Sequence, residues 1–151
     1  KYYFASDGAF HTKDGFRILG RVDDIIKMAG HRISTAEMEN AFYKHKAVSE
    51  CAVSPKPDKL RGEVPIAFVK LKKNVEGSDK LKKELIGKVV EYLGPTSKPG
   101  EIYFVSDLPK TRSGKIMRRI MKCLLHNEPI KGVSTLVNPD SINEIKKILG
   151  K

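Results

Sequence analysis

The sequence predicts an α+β fold in which a β-hairpin precedes a mixed sheet of about three strands with helices on both faces. Three observations carry this prediction. Two extended apolar runs lie near the middle of the chain, apolar residues recur at helical spacing in several segments, and an Asp-Gly pair stands between two strand-like runs near the start.

The first 22 residues predict the hairpin. Runs 9–12 and 16–19 flank Lys13-Asp14-Gly15, and the Asp-Gly pair supplies the positive φ that tight hairpin turns require. Because a lone hairpin is marginally stable, we assign residues 1–22 to the end of a preceding domain and residues 23–151 to a second domain. The chain begins without Met, so we expect it to be part of something longer.

Strand and helix signals alternate after the hairpin. Strands are expected at residues 25–28, 51–54, 66–71 and 102–105. Ser34 and Glu37 have capping-box spacing, which starts a helix over the following turns. Further helices are expected at residues 79–93, at roughly 116–125, and after Asn138.

Composition excludes several classes of protein. Of 151 residues, 40% are hydrophobic and 31% charged, which argues against long disorder, and no apolar run approaches the ~20 residues of a membrane span. Two cysteines without metal-ligand spacing argue against a disulfide framework or zinc finger and favour a cytoplasmic location, with a nuclear or organellar pool left open. The net charge of +11 indicates an anionic partner.

Residues 109–115 form the segment whose composition most strongly suggests a functional role. Lys110, Arg112 and Lys115 occur there with one glycine and two hydroxyls, just before a predicted helix. We expect a mobile loop whose lysine reaches an anion as a compact point charge. The alternatives are an ordinary solvated turn and a phosphate-binding P-loop. The P-loop fails because Pro109 and Ile116 stand where its motif needs glycine and a hydroxyl.

Two other segments carry functional signals. GRVDD at residues 20–24 lies between the hairpin and the mixed region, where a swivel would be placed, and its alternative is a turn with a surface ion pair. AGHR at residues 29–32 joins a glycine to two bulky bases, which allows close approach of a ligand to the backbone. Its alternative is a strand-ending turn.

Taken in order, GRVDD, then GHR with STAE at residues 30–37, then PKTRSGKIMRR at 109–119, resemble the C-terminal domain of AMP-forming acetyl-CoA synthetases. These enzymes belong to the acyl-adenylate-forming superfamily. The resemblance runs from residue 7 to the tail at 134–139. It implies a small domain that rotates on a large N-terminal adenylation domain. The implied reaction joins acetate and ATP into acetyl-AMP, then transfers the acetyl group to CoA. The fragment alone is expected to be inactive.

The resemblance also implies roles for single residues. Lys115 corresponds to the lysine that bridges the acyl carboxylate and the α-phosphate, and to the lysine that acetylation silences, so a protein acetyltransferase and a deacetylase are expected partners. Asp23 corresponds to the hinge.

Nucleotide and CoA contacts follow from the same resemblance. Asp7 corresponds to the acid on the ATP ribose hydroxyls, Arg21 to a nucleotide-contacting arginine, and Arg32 to one that meets the phosphate after rotation. Ala29 and Gly30 fall where the pantetheine arm of CoA passes.

A structural Mg²⁺ is implied at Tyr43, His45 and Val48, partly through backbone oxygens. One departure concerns CoA. Val90 stands where bacterial relatives have an arginine for its 3′-phosphate, so either Lys88 or another cation replaces that contact, or the contact is missing.

Two alternative functions follow from the sequence. The enzyme could act on propionate or another short-chain acid, because the acyl pocket lies outside this chain. A different class is a basic module that binds nucleic acid through Lys110 to Lys122. The absence of an aromatic RNA-recognition motif and of Cys/His fingers argues against this class.

Overall fold

The computed structural model describes residues 7–21 and 24–151. Its strands are β1 (Asp7–Thr12), β2 (Gly15–Arg21), β3 (Ile25–Met28), β4 (His31–Ser34), β5 (Val48–Asp58), β6 (Gly62–Leu71) and β7 (Glu101–Phe104). Its helices are α1 (Thr35–Tyr43), α2 (Asp79–Leu93), α3 (Arg118–His126) and α4 (Asp140–Ile148), with a 3₁₀ turn at Pro95–Ser97. The predicted α+β class is confirmed.

The predicted hairpin is present. Strands β1 and β2 pair antiparallel, and Thr12 and Gly15 close the turn through a hydrogen bond of 3.0 Å from Thr12 Oγ1 to the Gly15 carbonyl. A bulge between Gly8 and Ala9 shifts the register, so the far end of the hairpin places Asp7 opposite Arg21. Gly15 has φ +132°, which explains the requirement for glycine after Asp14.

The main sheet corrects the predicted number of strands. Within the described residues it has five strands in the order β4-β3-β6-β5, with β7 also pairing with β6. The β6–β7 pair is parallel and the other pairs are antiparallel, so the sheet is mixed as predicted. The sequence missed β4, because four residues between a tight turn and a helix cap are too few to show an alternating pattern.

The core lies on both sides of β5 and β6. Helices α1 and α3 both pack against β5, where residues 51–55 are buried in succession, and residues 64–69 of β6 are buried as well. Continuous burial along a strand requires that both faces of the sheet are covered. The prediction of helices on both faces is therefore confirmed.

The N-cap and the apolar spacing of helix α2 determine where the helix begins and which of its faces is buried. Ser78 Oγ accepts a hydrogen bond of 3.2 Å from the Leu81 amide, which caps the N-terminus. Leu81, Leu85 and Val89 then recur at intervals of four and are buried. Gly94, at φ +84°, ends the helix.

Helices α1 to α4 and the 3₁₀ turn differ in length and in apolar content. In the part of the chain that the structure describes, none of them combines the length and apolar content that crossing a bilayer requires.

The core makes a stability prediction. Leu85 is fully buried and Leu60 is 96% exposed, so the same truncation should destabilise the fold far more at Leu85 than at Leu60. We expect Leu85→Ala to lower the free energy of unfolding by about 2 to 5 kcal/mol through lost burial and a residual cavity. Leu60→Ala should change it by less than about 0.5 kcal/mol. Urea unfolding followed by circular dichroism measures both values, and equal effects would contradict the assigned core.

Candidate functional site

The tip of the loop at residues 109–117 is a tight hairpin. The Gly114 amide donates to the Thr111 carbonyl and the Thr111 amide to the Lys115 carbonyl, both at 2.9 Å. Gly114 has φ +79°, the left-handed conformation that a three-residue hairpin turn places at this position. Thr111 Oγ1 accepts the Lys115 amide at 3.1 Å and lies 3.1 Å from Ser113 Oγ. The hydroxyls of the motif therefore hold the turn.

The base of the loop is closed as well. Lys110 and Ile116 form an antiparallel bridge, and the Met117 amide donates to the Pro109 carbonyl at 2.8 Å. The loop that the sequence predicted to be mobile is thus a hydrogen-bonded hairpin, because threonine and glycine favour this turn where composition suggested only flexibility.

Lys110 is held by acidic side chains. Its Nζ lies 2.7 Å from Glu50 Oε2 on β5 and 3.0 Å from Asp107 Oδ1, and its side chain is only 18% exposed. Asp107 also accepts a hydrogen bond of 2.8 Å from Lys70 Nζ on β6. Lys110 therefore anchors the loop to the sheet.

These contacts favour the ionised forms of Asp107 and Lys110. Burial alone would raise the pKa of Asp107, but hydrogen bonds from Lys70, Lys110 and the Leu108 amide together hold it well below its usual range. Burial would likewise lower the pKa of Lys110, and its contacts with Glu50 and Asp107 raise it above the usual value.

Asn138 completes this network from the C-terminal segment. Its Oδ1 accepts the Lys110 amide at 3.0 Å, and its Nδ2 donates to Asp107 Oδ2 at 2.7 Å and to the Leu108 carbonyl at 2.8 Å. The Val137 amide also donates to the Lys110 carbonyl at 3.0 Å. The loop base is thereby tied to a distant part of the chain.

A second anchor follows the loop at the start of α3. Glu39, on α1, is 4% exposed, and its Oε1 accepts hydrogen bonds from Arg118 Nε at 2.8 Å and from the Val53 amide at 2.9 Å. The hydrogen bond to Glu39 raises the pKa of Arg118. Asp24, one residue after the predicted hinge, lines a groove of about 190 Å³ beside Arg118.

These contacts divide the cations of residues 109–119 into those that have protein partners and those that do not. Lys110 and Arg118 are committed to carboxylates, and Arg119 donates to the carbonyls of Lys131 and Gly132. Arg112 and Lys115 are exposed, and no residue in the described ranges accepts a hydrogen bond or forms an ion pair with either side chain. The structure therefore presents Lys115 at the tip of an anchored hairpin, free to meet an anion.

The predicted CoA-contacting residues form the turn between β3 and β4. Ala29 and Gly30 both have positive φ, at +48° and +83°, and the Ala29 amide donates to the Arg61 carbonyl at 2.9 Å. Ala29 lines a groove of about 320 Å³ with basic residues at its rim, namely His31, Arg61 and Lys98. Arg32 is exposed and lines an adjoining groove. Neither groove includes Lys115.

The remaining nucleotide and hinge predictions concern residues 7, 21 and 23, which lie at or just beyond the ends of the described range 7–21. Asp7 and Arg21 are register partners at the open end of the β1–β2 hairpin, so their backbones lie together, and Arg21 is exposed. Asp23 lies outside the described residues. Its role as a hinge stays a prediction.

The predicted magnesium residues already have protein partners. Tyr43 Oη accepts the Cys51 amide at 3.1 Å, and His45 Nδ1 accepts the Ala47 amide at 3.2 Å. His45 Nε2 faces Glu84 at 3.4 Å, and the His45 carbonyl accepts the Val48 amide at 3.1 Å. In this arrangement the His45 ring nitrogens are both engaged and Tyr43 Oη keeps only one lone pair, so the side chains alone do not form a Mg²⁺ site. A Mg²⁺ held partly through backbone oxygens at Tyr43, His45 and Val48 stays a prediction.

The position that lacks the CoA arginine offers no cation. Val90 is half-buried on α2, and its carbonyl accepts the Gly94 amide at 2.9 Å. Lys88 lies 2.7 Å from Glu91, and this hydrogen bond raises the pKa of Lys88. Lys88 is thus engaged with its own helix neighbour.

Sequence reasoning missed the anchoring residues. Glu39 could have been found, since it continues the buried spacing of Thr35, Met38 and Phe42 on α1, and a carboxylate on that face needs a cationic partner. Asn-Pro-Asp correctly predicted the start of a helix, but this signal gave no indication of the contacts that the Asn138 side chain makes. The structure uses Pro139 as the N-cap of α4 and turns the Asn138 amide toward the loop.

Comparison with known proteins matches residues 37–115 to the model of the AMP-binding enzyme C-terminal domain, so Lys115 is the last residue matched. The chain is 49% identical over 148 residues to an acetyl-coenzyme A synthetase of Methanothrix thermoacetophila. That alignment covers 97% of this chain and 22% of the relative, so the chain spans about a fifth of that curated relative's length.

Two solved structures share the fold. An acyl-CoA synthetase of Brucella canis is 39% identical, with a TM-score of 0.66, over 80% of this chain and 22% of the other. An anthranilate CoA ligase in complex with anthranoyl-AMP is 35% identical, with a TM-score of 0.73, over 82% of this chain and 24% of the other.

The Glu39–Arg118 pair makes a prediction. We expect Arg118→Ala to lower the free energy of unfolding by about 3 kcal/mol, because it leaves the Glu39 carboxylate buried without its cation. This is the low end of the range for breaking a buried pair, since the Arg118 side chain is 36% exposed and partly screened. Arg112→Ala is the matched control and should have little effect. Equal stabilities of the two variants in urea unfolding would refute the anchoring role.

Asp107 makes a pH prediction. A carboxylate whose pKa is lowered by folding contributes stability above its unfolded pKa of about 4, and this contribution is lost as pH falls toward the folded value. Asp107→Asn should therefore lower the free energy of unfolding at neutral pH, and the gap to the parent should narrow as pH falls below about 4. Denaturant unfolding as a function of pH measures this gap. Glu76→Gln, at an exposed site, is the control and should leave the profile unchanged.

Proposed function

The chain belongs to the AMP-binding enzyme C-terminal domain family, and from this premise we propose that it is the C-terminal domain of an AMP-forming acetate–CoA ligase. The ligase would convert acetate and ATP to acetyl-AMP and pyrophosphate, then transfer the acetyl group to CoA with release of AMP. The name and 49% identity of the Methanothrix relative support acetate as the substrate. Propionate and other short acids remain alternative substrates.

The observation that carries the proposal is the position of Lys115 at the tip of an anchored hairpin, where its side chain has no hydrogen-bond or ion-pair partner among the described residues. When the acetate carboxylate attacks the α-phosphorus, negative charge builds on the phosphoryl oxygens while the bond from the α-phosphorus to the bridging oxygen breaks and pyrophosphate leaves. A preorganised ammonium group aimed at those oxygens stabilises the transition state more than the ground state. Lys115 would also hold the carboxylate close to phosphorus, since one cation can contact both anions.

Two catalytic arrangements would use the same domain. We propose that residues 1–22 end an N-terminal adenylation domain and that residues 23–151 rotate about Asp23 between the two half-reactions. Rotation would withdraw Lys115 and bring the Ala29–Gly30 turn to the reacting centre. The small side chains and positive φ angles of that turn suit close passage of the CoA arm.

Nucleotide contacts are assigned on the same basis. Asp7 would accept hydrogen bonds from the ribose hydroxyls, Arg21 would contact the nucleotide, and Arg32 would meet the phosphate after rotation. Mg²⁺ would enter with ATP as part of the substrate. A separate structural Mg²⁺ at Tyr43, His45 and Val48 would depend on backbone oxygens, since the side chains of Tyr43 and His45 already have protein partners.

Regulation would act on the same amine. Acetylation of the exposed Lys115 removes its charge, so a protein acetyltransferase and a deacetylase are proposed partners. We also propose a cytoplasmic location, which two free cysteines support, since a reducing compartment keeps thiols unpaired.

A nucleic-acid module is less well supported. Its patch would need Lys110 and Arg118 to contact phosphates, yet both already form ion pairs with carboxylates. The reported relatives are named as synthetases or a ligase, which favours the enzyme.

Lys115→Ala in the full-length enzyme tests the proposal. Loss of the ammonium group should lower the adenylation rate at least about 100-fold, a common cost of removing one transition-state stabiliser. Acetate-dependent exchange of pyrophosphate into ATP measures this step. Formation of acetyl-CoA from supplied acetyl-AMP should persist.

Lys146→Ala is the matched control, because Lys146 is exposed on α4 outside the proposed site. Lys115→Gln, which mimics acetylation, should behave as Lys115→Ala does. Normal adenylation by Lys115→Ala would overturn the proposed role. Steeply salt-dependent binding of nucleic acid by the parent, together with that result, would favour the alternative module.

A further inference from the structure

The C-terminal segment beyond the matched domain reaches the functional loop. The family match ends at Lys115, and residues 136–138 lie 21 or more positions later in the chain. We propose that Asn138 is a positioning residue for adenylation, which fixes the base of the hairpin that carries Lys115. This inference rests on the proposed role of Lys115 and assigns a function to a segment outside the matched domain.

Every polar group of the Asn138 side chain bonds to residues 107–110, where the loop begins. An asparagine amide offers two N–H donors and one carbonyl oxygen. Both donors are engaged, with Asp107 Oδ2 at 2.7 Å and the Leu108 carbonyl at 2.8 Å, and the oxygen accepts the Lys110 amide at 3.0 Å. A side chain so engaged has one orientation, and it fixes the chain on both sides of Pro109.

The segment also holds the first arm of the hairpin through its backbone. The Val137 amide donates to the Lys110 carbonyl at 3.0 Å, and Thr111 bridges to Leu136 in antiparallel register. Both peptide groups of Lys110 are thus tied to residues 136–138. Thr111 follows directly, and its backbone and hydroxyl bind Lys115.

The position of Lys115 therefore depends on Asn138 through two residues. A shift at Lys110 moves Thr111, and Thr111 holds both the amide and the carbonyl of Lys115. Such a shift matters for catalysis, because a displacement of about 1 Å at a reacting group can cost about 100-fold in rate.

A purely local role in helix α4 does not explain these contacts. The N-cap of α4 is Pro139, without a side-chain capping bond, and it is the Asn138 backbone carbonyl that accepts the Ser141 amide and hydroxyl at 3.1 and 2.6 Å. Nothing in α4 uses the side-chain amide of Asn138 within the described residues. Its three bonds all go to residues 107–110, where the loop begins.

Asn138→Asp provides the sharpest test, because it replaces the donor to Asp107 with a titratable oxygen. The charged groups facing this site are Asp107, Lys110, Lys70 and Glu50, with Asp140 two residues along the chain. Near neutral pH the introduced carboxylate would face the Asp107 carboxylate and repel it. On protonation its O–H would restore the hydrogen bond to Asp107 Oδ2.

In the full-length enzyme, we expect Asn138→Asp to lower kcat for adenylation about 10- to 100-fold near neutral pH, with KM for ATP and acetate little changed. The rate relative to the parent should rise as pH falls. Asn138→Ala should be slow at every pH, because it has no proton to restore. Acetyl-CoA formation from supplied acetyl-AMP should be unaffected in both variants.

The control is Asn143→Asp, the same chemical change at an exposed position of α4. It should adenylate at the parental rate. Amide hydrogen exchange gives a readout independent of activity: the Lys110 and Lys115 amides should exchange faster in Asn138→Ala and unchanged in Asn143→Asp.

Three outcomes would overturn the inference: parental adenylation by both Asn138 variants, equal loss of the two half-reactions, or a slow Asn138→Asp that does not recover at low pH. Each is distinguishable from failure of the proposed function, in which Lys115→Ala itself adenylates normally. Loss with Lys115→Ala and none with Asn138→Ala would refute the positioning role alone.

Discussion

The carboxylate of Asp107 is the point on which the functional loop depends. It accepts hydrogen bonds from Lys70 on the central strand, from Lys110 in the loop and from Asn138 in the tail. Three segments distant in sequence therefore meet at two oxygen atoms. Because partial burial disfavours an isolated charge, each of these donors favours the ionised carboxylate, and the three contacts support one another.

This anchoring explains how a basic run of residues can have divided roles. Lys110 and Arg118 at its two ends are neutralised by carboxylates on β5 and α1, which fixes the run to the sheet and to a helix. Lys115 lies between them and keeps its charge available. If the domain rotates as proposed, a hairpin fixed at both ends would move with it as one body, so the rotation alone would decide where the ammonium group lies.

Local patterns predicted most of the fold and one part of the site. Helix α1 followed from a Ser cap and apolar spacing, helix α2 followed from apolar spacing, and the choice of Lys115 as a candidate followed from its motif, because these signals lie within short stretches of chain. The contacts of Glu39 and Asn138 could not be derived in this way. Their partners, Arg118 and Asp107, are 79 and 31 residues away, and only tertiary packing brings them together.

The contact between Asn138 and the loop also bears on where this unit ends. The family model ends at Lys115, whereas the hydrogen bonds extend the unit to residue 138 at least, in line with the alignment to the Methanothrix relative over 97% of the chain. A chimera that exchanged only residues 37–115 would transfer Lys115 without the segment that holds its loop. The structural unit around Lys115 is therefore longer than the stretch that the family model matches.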